Sequence, residues 1–169
     1  LKFQEELHIL EEIRKNFSHE EIELRLDANG AFTINNAFDK LDALAEFDIH
    51  SIEQPIKAGQ WAEMAEICQN SPIPIALDEE LIGVHAQDEC EELLDTILPH
   101  YLILKPSLIG GFQMAEEWIE LANQFEINWW VTSALESNIG LNYLSQWTFK
   151  LQNPMYHGLG TGALYTNNV

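Results

Sequence analysis

Four residues that can do chemistry stand where apolar runs end. Asp27 closes Leu24-Arg25-Leu26-Asp27, Glu53 closes His50-Ser51-Ile52-Glu53, Asp78 closes Ile75-Ala76-Leu77-Asp78, and Lys105 follows Tyr101-Leu102-Ile103-Leu104. Burying such a carboxylate unpaired costs several kcal/mol, and a shared cation answers that cost. Three acidic oxygen donors suit a hard divalent ion, Mg²⁺ with Mn²⁺ as the alternative, which keeps open positions for water or substrate oxygens. Those open positions suit a small-molecule carboxylate as substrate. A lysine nearby then serves as a base with a lowered pKa or, while protonated, as a stabilising cation, which suggests proton abstraction alpha to that carboxylate. The dianionic enediolate so formed needs the positive charge of the metal. Each acid taken singly has another reading as the cap of the following helix, and Lys105 another as a salt-bridge partner of Asp78 or Glu79.

The elements that must position these residues follow from the spacing. Asp27, Glu53 and Asp78 lie 26 and 25 residues apart, about what a strand, loop, helix and returning strand use when the strands are parallel. An amphipathic helix is expected over about residues 3–16, and Glu23 to Asp27 reads as the first strand. A helix capped by Thr33 or Asn35 runs through Leu41, Leu44 and Ala45; Ser51 to Glu53 is the second strand; Trp61, Met64, Ala65 and Cys68 mark the next helix. Pro72 and Pro74 open the third strand, a helix lies around Asp88 to Leu94, and Tyr101 to Leu104 is the fourth strand. Gly110-Gly111 opens a helix carrying Met114, Trp118 and Leu121. Asn128 to Val131 is the fifth strand, and a helix from about Asn138 to Phe149 turns Ile139, Tyr143, Leu144 and Trp147 inward. His157-Gly158-Leu159-Gly160-Thr161-Gly162 resembles a sixth strand end, and with no βαβ unit after it these glycines are not a dinucleotide fingerprint.

Strand ends therefore fall at about 27, 53, 78, 105, 132 and 158. Apolar strands alternating with amphipathic helices mean an α/β fold with a parallel sheet covered on both faces. Polar residues at every strand end favour a (β/α)8 TIM-type barrel over an open doubly wound sheet, because a barrel directs all its strand C-termini at one mouth. The residues 1–169 then read as one domain holding about the last six βα units, with the first two strands expected upstream of Leu1, where the chain starts without Met inside a helix-like segment.

The formal charge of −20, from 28 acidic against 8 basic residues, argues against nucleic acid or an anionic membrane surface as partner, since both call for clustered Lys and Arg. No run of 18 apolar residues and no basic-then-apolar leader is present. Cys68 and Cys90 lack metal-ligand spacing, which fits a reduced cytoplasmic protein. Composition leaves the oligomeric state open.

Leu26-Asp27-Ala28-Asn29-Gly30, Ile52-Glu53-Gln54-Pro55, Ala76-Leu77-Asp78-Glu79 and Leu104-Lys105-Pro106 resemble the enolase superfamily. Within it, Lys105 to Gly111, Thr132 to Gly140 and Gly158 to Gly162 look most like the o-succinylbenzoate synthase family of menaquinone biosynthesis. The superfamily is itself a standard example of a Lys base with a metal-stabilised ene-diolate, so that chemistry is a property of the resemblance. The resemblance implies a metal-dependent lyase that dehydrates 2-succinyl-6-hydroxy-2,4-cyclohexadiene-1-carboxylate to o-succinylbenzoate. Asp27, Glu53 and Asp78 would hold Mg²⁺, Lys105 would lie across the substrate ring, Asn29 and Glu79 would support the metal ligands, and Ser133 would meet a substrate carboxylate. Asn29, Glu79 and Ser133 each also read as turn or cap residues. The family's second lysine, in a Lys-x-Lys motif on the second barrel strand, has no counterpart in these residues, and the α+β capping domain is absent from them; Lys2 lacks the motif. A dipeptide epimerase or N-acylamino acid racemase on the same scaffold is the second reading, and a noncatalytic partial barrel the third.

Overall fold

The helix expected at the start forms as α1 (Lys2–Asn16), and Leu10 is its buried residue. Near its end the Arg14 guanidinium donates to the carbonyl oxygens of Phe47 (2.7 Å), Ile22 (2.9 Å) and Asp48 (3.0 Å). One planar fork of donors thereby ties the helix to two loops. A computed structural model of the chain describes residues 2–161 and 165–166; Gly162, the last glycine of the expected sixth strand end, lies outside them. The chain separates into two compact units, one running through Glu80 and taking in Thr96–His100, the other taking in Leu81–Asp95 and the chain from Tyr101 onward.

In the first unit, β1 (Arg25–Asp27), β2 (Ser51–Glu53) and β3 (Ile75–Leu77) are parallel neighbours, joined through α2 (Ile34–Ala45) and α3 (Trp61–Asn70). Arg25 pairs with Ser51, Leu26 with Ile52 and Asp27 with Glu53; on the other side Ile52 pairs with Ile75 and Glu53 with Ala76. All three residues of β3 are buried, the near-continuous apolar strand of a parallel sheet covered on both faces. Leu41, Ile52, Met64 and Ile67 are shut off from solvent beside them, each contributing about 1.5–3 kcal/mol. Pro74 has no N–H to give the ladder, but its carbonyl accepts from Ile52 at 3.0 Å, which is why proline is tolerated at this strand start.

In the second unit, β4 (Tyr101–Leu104) and β5 (Asn128–Val131) pair in parallel over four residues. Most of α4 (Gln87–Ile97) belongs here, with α5 (Pro106–Ile109), α6 (Gly111–Gln124) and α7 (Asn138–Leu151). Trp118 of α6 is fully buried. Gly110 separates α5 from α6 at φ 104°, a conformation L side chains rarely adopt, and a Cβ there would stand 3.1 Å from that of Met114.

Four expectations change. The first strand is two residues shorter at its start, beginning at Arg25. The stretch from Lys105 to Gly111 holds the short helix α5, which Pro106 at its first position pre-organises. Among the described residues, the expected sixth strand is a single bridge, Thr132 to Gly158; a Cβ on Gly158 would approach Thr132 Cγ2 to 2.8 Å, so glycine is what allows the bridge. Ile139 and Tyr143 of α7 are exposed, while Leu144 and Thr148 are buried. The helix carries two adjacent i,i+4 rows, 139/143/147 and 144/148; the second is buried, and of the first Trp147 packs, its ring 5.0 Å from that of Phe112. No helix among the described residues is long and apolar enough to cross a membrane.

Candidate active site

Asp27, Glu53, Asp78, Asn29 and Glu79 all fall in the first unit, and Lys105 and Ser133 in the second. The register sets Asp27 beside Glu53 at the ends of β1 and β2. Glu53 also pairs with Ala76, and Asp78 stands two residues beyond Ala76, just past β3. Asp27 is exposed, Glu53 half-buried, and Asp78 only 3% exposed. Asp27 Oδ1 accepts the Asn29 N–H at 2.9 Å, a local Asx turn that bends the chain out of β1, with Asn29 at φ 45°. The donor to Asp27 is thus the Asn29 main chain. Glu79 opens a 3₁₀ turn over Glu79–Leu81, which the sequence pattern does not signal. Beside Asp27 a cavity of about 360 Å³ is walled by Phe3, Leu10, Leu26, Phe32 and Ile52, with Glu6 at its rim.

All the acids offer oxygen, and the ends of β1 and β2 carry Asp27 and Glu53 in step, so donor chemistry and the register of those two fit a hard divalent cation. Among the described residues, though, no three His, Cys, Asp or Glu side chains gather at one point as metal ligands do.

What joins the ends of β2 and β3 is Gln54, 1% exposed and at φ 41°. Its Nε2 donates to Ile56 O at 3.0 Å and to Glu80 Oε2 at 2.9 Å; its Oε1 accepts the N–H groups of Asp78 and Glu80, both at 3.3 Å. The Glu80 carboxylate, 4% exposed, also accepts the Gly59 N–H at 2.6 Å. Both donors and both lone pairs of one carboxamide are therefore used, holding Asp78's backbone against the residue that follows Glu53.

In the second unit, Lys105 is half-buried and caps α5: the N–H groups of Leu108 (2.8 Å) and Ile109 (3.3 Å) donate to its carbonyl. Ser133, 7% exposed, follows β5. Its hydroxyl donates to Glu136 Oε2 at 2.5 Å and accepts from the Leu135 N–H at 3.0 Å and the Thr161 hydroxyl at 2.7 Å. Glu136 Oε1 accepts the Ser107 hydroxyl at 2.5 Å. Burial alone would raise the Glu136 pKa, but the Ser107 and Ser133 hydroxyls and the backbone at Glu136 and Ala134 outweigh it and hold the carboxyl below its ordinary value.

Residues 2–167 match the family model described as enolase C-terminal domain-like. The chain belongs to this family. It is 54% identical over 169 residues to the o-succinylbenzoate synthase of Desulfotalea psychrophila, across 100% of this chain and 46% of that protein. It is 25% identical over 144 residues to the L-Ala-D/L-amino acid epimerase of Flavobacterium johnsoniae, across 84% of this chain and 40% of that protein. The crystal structure of MenC from Desulfotalea psychrophila LSv54 superposes with a TM-score of 0.96 at 55% identity, over 99% of this chain and 47% of that one. The chain spans about half the length of the relatives it matches.

Within this enolase-like domain, reasoning from strand ends did not single out Gln54, Glu80 or Glu136. Gln54 and Glu80 each follow a singled-out acid by one or two residues, a signal open to anyone asking what holds that acid's backbone. Glu136 gave none, because its partners Ser107 and Ser133 lie 29 and 3 residues away. His157 Nδ1 accepts the Val131 N–H at 3.0 Å, a structural use of a histidine near the glycine-rich segment.

Proposed function

We propose that this enolase-like domain serves the o-succinylbenzoate synthase reaction, loss of water from 2-succinyl-6-hydroxy-2,4-cyclohexadiene-1-carboxylate. The observation that carries the reading is the identity of 54% over 169 residues to a protein of that name, supported by the in-register acids at β1 and β2. The strand-end period further supports a (β/α)8 barrel to which this chain gives about the last six βα units. Asp27, Glu53 and Asp78 are the residues that would hold Mg²⁺, or Mn²⁺ in its place. When bound, the ion supplies positive charge to a substrate carboxylate. Lys105, protonated, lies across the ring and balances the charge that develops as the carbon–hydrogen bond alpha to the carboxylate breaks. The second lysine that the resemblance implies takes that proton and returns it to the ring hydroxyl as the carbon–oxygen bond breaks, so that water leaves. Asn29 steadies Asp27, and Glu79 lies next to Asp78 to do the same for it.

The test is dehydration by the full-length protein under Mg²⁺ titration, for the parent and for Asp78→Asn. The variant should lose Mg²⁺-dependent turnover and keep its circular dichroism spectrum. Unchanged turnover would refute the shared-metal site. The similarity to a named L-Ala-D/L-amino acid epimerase favours one second reading, an epimerase or N-acylamino acid racemase in which Lys105 is one of two opposed bases. Deuterium exchange at the alpha carbon of acyl amino acids or dipeptides, without dehydration, would select it.

A further inference from the structure

Three hydroxyl protons of the second unit run towards one carboxylate. Thr161 donates to Ser133, Ser133 donates to Glu136, and Ser107 donates to the other oxygen of Glu136. A serine has one proton and two lone pairs, and Ser133 spends all three on Glu136, Thr161 and the Leu135 N–H. It has no proton left for a substrate carboxylate. So arranged, Ser133 holds the loop after β5 in place.

Ser107 sits in α5, whose first turn is built on the carbonyl of Lys105. A helix of four residues has little hold on its own position. Pro106 and Ile109 bury one side of α5, and the tether from Ser107 to Glu136, 29 residues away in sequence, joins its other side to the loop that follows β5. Glu136 is held in turn by packing: a Cβ added at Gly140 of α7 would stand 3.0 Å from Glu136 Cβ and 3.3 Å from its Cγ. The helix accordingly runs against the carboxylate stem and limits its rotamers.

We infer that Glu136 is a positioning residue for Lys105, locking the ends of β4 and β5 into one assembly through Ser107 and Ser133; this rests on the proposed reaction, in which Lys105 faces substrate. Its carboxylate is suited to the task because it accepts at both oxygens. Glutamine in its place offers one acceptor and one donor, so one serine loses its partner.

The experiment uses the full-length protein with Mg²⁺ and compares the parent, Glu136→Gln, Ser107→Ala and the double variant. Ser107 is exposed, so its alanine variant tests the tether even where Glu136→Gln folds poorly. Glu136→Gln should lower kcat for dehydration about tenfold or more with KM changed less than about threefold, since a small misplacement of a reacting group acts on the transition state. Ser107→Ala should do the same to a smaller degree, and the double variant should be no worse than Glu136→Gln, because both remove one tether. Amide hydrogen exchange over 106–110 should quicken in each. Parent-like kcat and exchange in Glu136→Gln, or strictly additive losses, would overturn the inference. Should the parent show no dehydration, the proposed reaction falls, and the exchange data alone decide the tether: faster exchange in the variants keeps it and unchanged exchange removes it.

Discussion

In the first unit a neutral carboxamide ties strand ends together, whereas in the second a carboxylate does so. Gln54 is enclosed by negative groups, with Glu80 and Asp78 in its hydrogen-bond shell and Glu53 next to it in sequence. A group that donates and accepts with no charge of its own is what such a place tolerates, because another buried anion would need a cation to offset it. Glu136 is half-buried among hydroxyls, where an anion gains more from each donor than a neutral acceptor would. The choice of joint follows the local charge rather than the fold, since both joints link loops after parallel strands.

The largest effect should come from breaking the buried joint. Gln54→Leu takes one of its two donors from the Glu80 carboxylate and the shared acceptor from two backbone N–H groups at once, and we expect about 3 kcal/mol of lost stability in urea unfolding. Ser107→Ala, at an exposed donor, should cost about 1 kcal/mol or less in the same measurement. Equal losses would end the distinction between a buried and a half-exposed joint. Next comes the close approach at the end of β5. Gly158→Ala must displace Thr132 and should cost about 1–3 kcal/mol, whereas Gly160→Ala, with nothing within 4 Å of the added carbon, should stay within about 0.5 kcal/mol. Similar melting temperatures for the two variants would mean that the bridge to Thr132 gives way at no cost.

Much of this was legible in the sequence. Ser51 to Glu53, Tyr101 to Leu104 and Asn128 to Val131 form as strands with the bounds the apolar runs suggest, because short runs stopped by Pro, Lys or Ser leave little freedom at either end. The register of Asp27 with Glu53 follows from their equal place at strand ends. What was not legible depends on contacts between distant loops. No periodicity tells Glu136 that Ser107 lies beside it, nor says which of the two rows of α7 will be buried. Glycines at 158 and 160 argued against a strand in general, yet only one of them makes a close backbone approach.

A smaller effect separates the units by pH. Burial lowers the His100 pKa, and its Nδ1 accepts the Ile75 N–H at 3.1 Å, a bond that only the neutral ring can make. Because the folded state disfavours the proton, the stability this ring contributes is complete above its unfolded pKa of about 6.5 and is lost as pH falls toward the lower folded value. Unfolding of the first unit should therefore become easier below about pH 6.5, and His100→Gln should flatten that dependence. An unaltered pH profile in the variant would assign the slope elsewhere.

The least invasive comparison perturbs neither unit, since each carries one buried, free cysteine: Cys68 in the first and Cys90 in the second. Burial, with Glu80 nearby, pushes the Cys68 thiol up to about 12; burial, with Glu117, Glu89 and Asp88 nearby, pushes Cys90 up to about 11. Neither should react with a thiol reagent at neutral pH until its unit opens, because the thiolate is the nucleophile. Labelling across a urea series, read by peptide mass, then reports the opening of each unit separately. Within the first unit β1, β2 and β3 pair, and within the second β4 and β5 pair, so the second has fewer strand pairings of its own to lose before it opens. Cys90 should accordingly label at lower urea than Cys68. A shared midpoint would mean that the two units open as one cooperative body, and the opposite order would mean that the hydroxyl tether through Glu136 outweighs the extra strand.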